Sequence, residues 1–349
     1  MDISIAKKRE LSGTLDGLPE RKISWVERTL GPEMYRMLHG LATNPLSVAG
    51  TIIIAIFVLV GVFARQIAPP LHPEDPYTIP RDGFSQDPMS PMSEWSKRQP
   101  PTAFWLEPLT GSSKWVHFMG TASGQWDIFY GVVWGTRTAF RVGVTITFAT
   151  VVIGILMGAI SAYYGGIVDM LLMRITDIFY TMPFLLAALT LSAILTPAIG
   201  RSILPAMIAL TVFGWMTYAR LIRGDILTIK ERDYVLAARV IGAKDRRIMF
   251  RHILPNAIFP TLVVASMDVG SYVITFAALS FLGIGAEVGY ADWGQLLSFA
   301  RDWITALNRY WFIVVYPGVT LILFVLGWNL VGDAVRDIMD PRMRGRTGG

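Results

Sequence analysis

The chain has 349 residues, of which 53% are hydrophobic and 16% charged, with a formal net charge of +5. A soluble domain carries about 25% charged residues, and the apolar residues here gather in long runs, so composition points to a membrane protein. The absence of cysteine excludes disulfides, thiol chemistry and Cys-ligated metals; His39, His72, His117 and His252 are scattered singly, without ligand spacing; and the positive balance reads as basic loops that fix a membrane topology, with no nucleic-acid partner.

Residues 1–46 form an N-terminal arm. The first apolar run follows more than 40 largely polar residues, too late for a cleavable signal peptide. Within the arm, residues 25–42 place Val26, Leu30, Met34, Met37, Leu38 and Leu41 at three- and four-residue spacing. That is one apolar helix face, lying on the membrane surface or packed as an ordinary helix.

A bilayer core of ~30 Å needs about 20 apolar residues per helix. Six spans are expected, over residues 47–64, 138–163, 170–195, 204–223, 258–282 and 310–332, giving an all-α polytopic fold. Residues 65–137 are an external loop ending in an element before the second span, 138–332 a core of five spans, and 333–349 a tail. Arg174 and Asp177 interrupt the start of the third span, while Pro183 and Pro260 lie inside spans, where neighbouring helices satisfy the freed backbone groups. The 65–137 loop is proline-rich and holds Trp95, Trp105 and Trp115. Buried, these rings anchor a folded loop; exposed, they offer a docking surface. The cost of a large aromatic left in water favours anchoring.

Lys and Arg crowd the arm, residues 220–251 and the tail. With six spans these segments share one side, which the positive-inside rule makes cytoplasmic.

The cytoplasmic segment 224–257 contains "DYVLAARVIGAKDRRIMFRHILPN" from Asp233 to Asn256. Asp233 is expected to cap a helix, with Tyr234, Ala237, Ala238 and Ile241 on one face. Gly242, followed by Ala243, suits the left-handed position that ends such a helix. Asp245 favours the start of a second helix, which should stop near Leu254 because the residue before Pro255 resists helical geometry.

This island resembles the cytoplasmic EAA loop of ABC-importer permeases, through Ala237, Ala238, Gly242, Ile253, Leu254 and Pro255. Its wording is similar to the dipeptide, oligopeptide and nickel subfamily, specifically the C-type permease. The resemblance covers about residues 44 to 343, through Gly120, Thr121, Asp127, Gly135 and Arg137; through Gly165, Gly166, Asp169, Arg174, Asp177 and Pro183; and through "ALSFLGIG", "DWGQLL" and "YPGVTLILFVLGWNLVGDAVRDIMDPRMR". The pattern's glutamate is Leu236 here, the acid often found before "A.LSFLG" is Phe276, and the carboxylate of the "GTD" element is Ala122.

The resemblance implies a type I ABC importer permease fold, in a prokaryotic inner membrane with both termini cytoplasmic. It implies half of a transmembrane pathway, with a coupling element engaged by one of two cytoplasmic ABC ATPase subunits. A second permease subunit, making a heterodimer, and an extracytoplasmic solute-binding protein complete the assembly. ATP and Mg would belong to the ATPases, since this chain has no Gly-x-x-x-x-Gly-Lys loop to cradle phosphates and no catalytic site is expected. The coupling residues are then Asp233, Tyr234, Leu236, Ala237, Ala238, Gly242, Ala243, Asp245, Ile253, Leu254 and Pro255.

Ionisable residues within spans are functional candidates because they are costly in lipid. Asp268 lines the pathway or bonds a neighbouring helix, and Asp177 pairs with Arg174 at i,i+3. Gly158, Gly214 and Gly270 read as packing positions. Asp333, Arg336, Asp337 and Asp340 read as a solvated face. A secondary transporter or channel would need inverted repeats around a midplane site, and none is visible. A membrane-embedded enzyme would need paired acids, metal ligands or a nucleophile–base set, and none stands out.

Overall fold

The computed structural model describes residues 44–96 and 99–339; the amphipathic segment 25–42, the tail beyond Met339 and Asp340 lie outside them. Helix α1 (Pro45–Val62) opens with Asn44, whose side chain accepts from Leu46 N at 3.0 Å, and with proline at its first position, where a missing N–H costs nothing. α2 (Ile128–Tyr164) is capped by Asp127, which accepts from Tyr130 N at 2.7 Å. At 37 residues it is about 55 Å long, so the second span begins ten residues earlier than the hydropathy suggested.

The third span is the main departure. In place of one helix over 170–195 there are two, α3 (Gly166–Tyr180) and α4 (Phe184–Ile199), meeting at 88°. Pro183 sits in the joint with ψ 112° and begins α4; it ends a helix here and does not ride inside one. Pro260 does lie within a helix, as expected. α5 (Ile203–Lys230) is followed by α6 (Asp233–Val240) and then by α7 (Leu254–Phe281), α8 (Trp293–Ser298) and α9 (Phe312–Met339). Among the described residues five helical stretches are long and apolar enough to cross a membrane, or six when α3 and α4 form one bent span.

Small residues let the helices touch, as membrane packing requires. A side chain added at Gly158 would meet the Ala219 carbonyl and Ile222, one at Gly214 the Tyr272 hydroxyl, and one at Gly270 the backbone of Val325. All three glycines expected at packing positions lie there. Gly154, against Tyr218 and Trp215, does the same work between α2 and α5. Phe276, at the position of the family's acid, is buried in the core with Val142, Ile146 and Leu210.

The two ends of the bundle differ. At the loop end, residues 68–96, 99–127 and 283–311 fold together. The strand β1 (Ser93–Glu94) pairs antiparallel with β2 (Val116–His117). Trp95 and Trp115 are buried with Leu106, and the half-buried Trp105 packs beside them, so the tryptophans anchor the loop. Ile79 N donates to Gly289 O, and Ala291 N to Tyr77 O, each at 2.7 Å, stitching the two segments. Trp134 Nε1 donates to Ala68 O at 2.9 Å, and Trp293 Nε1 to Val132 O at 3.1 Å, so the start of α2 is gripped from both. Asp292 caps α8 by accepting from Gly294 N (3.2 Å) and Gln295 N (3.1 Å); burial pushes its carboxyl up to about 6.

Candidate functional site

The opposite end carries the basic island as a two-helix elbow. α5 projects to Lys230, seven residues past the expected span, and Lys230 Nζ donates to Ala162 O of α2 at 3.2 Å. α6 then starts at Asp233. Its cap residue is Arg232, and Asp233 is the first helical residue, with no side-chain cap bond. The expected capping role is therefore corrected to a favourable charge in the first turn. Val235 N and Leu236 N both take the Arg232 carbonyl.

Gly242 has φ +80°. Its N–H bonds Arg239 O at 2.9 Å and Ala243 N bonds Ala238 O at 3.1 Å, closing α6 with the left-handed glycine that the spacing suggested. The chain then re-enters helix at Asp245, through Ile248 and a π turn over Met249–Ile253. This second helix does not stop at Leu254. Pro255 directly follows the π turn, whose backbone bonds are already shifted, with Leu254 N on Met249 O, so its absent N–H is tolerated inside the helix, which is continuous from Asp245 to Phe281. The elbow is thus rigidly one piece with a spanning helix.

The expected single face divides in two. Val235 and Ala238 point inward, packing with Ile248, Met249 and Ile253 onto Ile222 and Ile226 of α5 and Ala162 of α2. Tyr234, Leu236, Ala237 and Ile241 are exposed, as are Val240 and Phe250. Val240 and Ile241 are 88% and 84% exposed, unusual for β-branched residues at a polar end of a bundle. Val240 and Phe250 were not singled out from the sequence, because the three-and-four rule followed only the alanine face.

The ionisable candidates also find partners. Asp177 accepts from Arg220 of α5 at 2.5 Å, not from Arg174, which is exposed. The bend at Pro183 lays α3 against α5, and Arg220, over the Tyr180 ring at 4.3 Å, is held where it reaches the carboxylate. One turn on, Arg223 Nε and Nη2 grip Asp169 at 2.6 Å each, with Ser161 Oγ as a further donor. Asp268 is bonded to a neighbouring helix, accepting from Tyr218 Oη of α5 at 2.6 Å. Asp333 and Arg336 are exposed.

One cluster had no local signal. At the loop end the buried His117 lies with Nδ1 2.6 Å from Asp127 Oδ2 and Nε2 3.5 Å from Asp82 Oδ2, stacked on Trp95 at 4.3 Å. Asp82 also accepts from Ser96 N and Oγ. The histidine that looked isolated in sequence joins residues 45 positions apart. No group among the described residues has the arrangement of a metal site.

Comparison with known proteins agrees with this architecture. The model of the binding-protein-dependent transport system inner membrane component family matches residues 151–345. The chain is 33% identical over 304 residues to the dipeptide transport system permease protein DppC of Alkalihalophilus pseudofirmus, covering 87% of this chain and 88% of that one. It is 32% identical over 302 residues to the oligopeptide transport system permease protein OppC of Bacillus subtilis, covering 86% and 87%. A chain of the inward-facing MetNI methionine ABC transporter shares the fold with a TM-score of 0.50 at 19% identity, covering 61% of this chain and 98% of that one. The chain therefore belongs to the family of binding-protein-dependent transport system inner membrane components, the membrane permease subunits of ABC importers.

Proposed function

We propose that this subunit carries dipeptides or oligopeptides inward, as half of a pathway completed by a second, different permease chain. In this reading the elbow from Asp233 to Pro255 is the coupling element, seated on one of two cytoplasmic ATPases. The elbow end and both termini face the cytoplasm, and the loop end meets the solute-binding protein. ATP and Mg stay with the ATPases; this chain hydrolyses nothing.

The observation that carries the reading is the join between elbow and span. α6 is clamped to α5 and α2 through Val235 and Ala238, and the second arm runs unbroken into α7. A push on the elbow therefore reaches a helix packed through the bundle, with no loop to absorb it. The exposed Tyr234, Leu236, Val240 and Ile241 give an ATPase groove an apolar ridge. With Leu236 in place of a glutamate, docking at that point is apolar rather than ionic. The peptide substrate rests on the relatives' names.

Gly242→Asp tests the coupling role. Nothing lies within 4 Å of a side chain added at Gly242, so within this chain the substitution meets only the positive φ, which aspartate tolerates better than most residues, and its effect comes from a charge placed on the face offered to the ATPase. The variant should lose ATPase attachment, or hydrolyse ATP without peptide uptake in proteoliposomes. Normal co-purification together with normal uptake would count against the reading.

A further inference from the structure

Beside the elbow runs a groove of about 420 Å³ between the end of α2 and the π turn. Leu156, Ile160 and Tyr164 form one wall, Met249 and Phe250 the other. From Leu156 to Tyr164 is eight residues, or about 12 Å along the helix, close to the ~15 Å half-thickness of a bilayer core. The wall continues an outward stripe at four-residue spacing through Phe148 and Val152, both exposed. The groove therefore opens sideways, toward hydrocarbon.

Its mouth is cationic. Arg246 and Phe250 are shared with an adjoining hollow that adds Lys244 and Arg247. Among the described residues none of these three cations is in an ion pair, and the carboxylate of Asp245 is the one acid in the same turn. Tyr163 and Tyr164 stand at the rim, the usual depth of aromatic residues at a membrane boundary. A soluble solute has no use for an apolar trough opening into lipid, and a soluble protein does not reach Phe148. We propose that this groove holds an anionic glycerophospholipid, one acyl chain along α2 and its phosphate on Arg246 with Lys244 and Arg247. The wall it would fill is the π turn joining elbow to span, so the lipid braces the lever. The proposal needs the bundle to sit in a membrane, and stands or falls separately from ATPase docking or peptide transport.

The test is native mass spectrometry of the whole complex taken from bilayers of equal phosphatidylglycerol and phosphatidylethanolamine. Wild type should retain phosphatidylglycerol preferentially. Arg246→Ala should lower that retention about tenfold, the scale of a lost charge-assisted hydrogen bond, and Arg246→Lys should restore part of it. Ala159→Trp, which fills the groove without touching a charge, should abolish retention; an unchanged helix content by circular dichroism shows that each variant has folded. Equal retention of both lipids, or indifference to Arg246→Ala and Ala159→Trp, would overturn the proposal. So would a photoreactive residue at position 159 that crosslinks to protein, whether an ATPase, the second permease or residues 25–42, instead of to lipid.

Discussion

The two ends of this bundle handle apolar and ionic groups in opposite ways. At the loop end Trp95, Trp115 and Trp293 are buried, the indole N–H groups of Trp115 and Trp293 reach the carbonyls of Pro101 and Val132, and a histidine is enclosed with two carboxylates. At the elbow, Tyr234, Val240 and Ile241 stand in the open. The loop end encloses its central rings and its histidine cluster within this chain and leaves Phe84, Phe104 and Leu109 at its surface; the elbow encloses its inner face only. A surface that buries half its apolar residues and displays the rest is an interface awaiting a partner, and it is where coupling is proposed.

Substitutions should therefore change stability at the loop end and function at the elbow. The largest effect is expected from His117→Ala. It leaves Asp82 and Asp127 buried without the imidazole, a loss of about 3–5 kcal/mol, and limited proteolysis should cut within residues 68–127. Next comes Asp292→Asn. The folded carboxyl is raised to about 6 from an unfolded value near 4, so wild-type stability from this group is full below about pH 4 and lost as pH rises through 6. Asparagine does not ionise and keeps one of the two cap bonds, because its amide offers a single acceptor oxygen; the lost bond, about 1 kcal/mol, offsets part of the gain. The variant should gain up to about 3 kcal/mol above pH 6 and flatten the melting profile between pH 4 and 6; an unchanged pH profile would show that Asp292 is not buried as described.

Smaller again is Arg220→Ala. The pair with Asp177 is half exposed, so its removal should cost at most about 1 kcal/mol and leave helix content intact. The smallest stability change belongs to Ile241→Asp, within about 0.5 kcal/mol, because the side chain touches little; its cost should appear as lost ATPase co-purification. A large drop in melting temperature for Ile241→Asp would erase the contrast between the two ends.

The spans were legible because about 20 apolar residues in a row have few other uses, and the elbow because Gly242 and the alanines are spaced as a bend between helices requires. What failed did so for identifiable reasons. Pro183 and Pro255 carry the same local signal, yet one breaks a span and the other is carried inside a continuous helix, since a π turn absorbs the second. Asp177 had a partner at i,i+3, but the bend at Pro183 brings in Arg220 from 43 residues away. His117 could not be read at all: Asp82 and Asp127 reach it only once the loop has folded, and no periodicity records that.

The account turns on the outer face of the elbow meeting an ATPase. The chain has no cysteine, so Ile241→Cys and, at the loop end, Phe84→Cys give single reactive positions, both highly exposed. In the assembled transporter, a short bifunctional thiol–photoreactive crosslinker should join position 241 to an ATPase subunit and leave position 84 unjoined to it. An ATPase crosslinked at 84, or none at 241 while transport continues, would contradict the account.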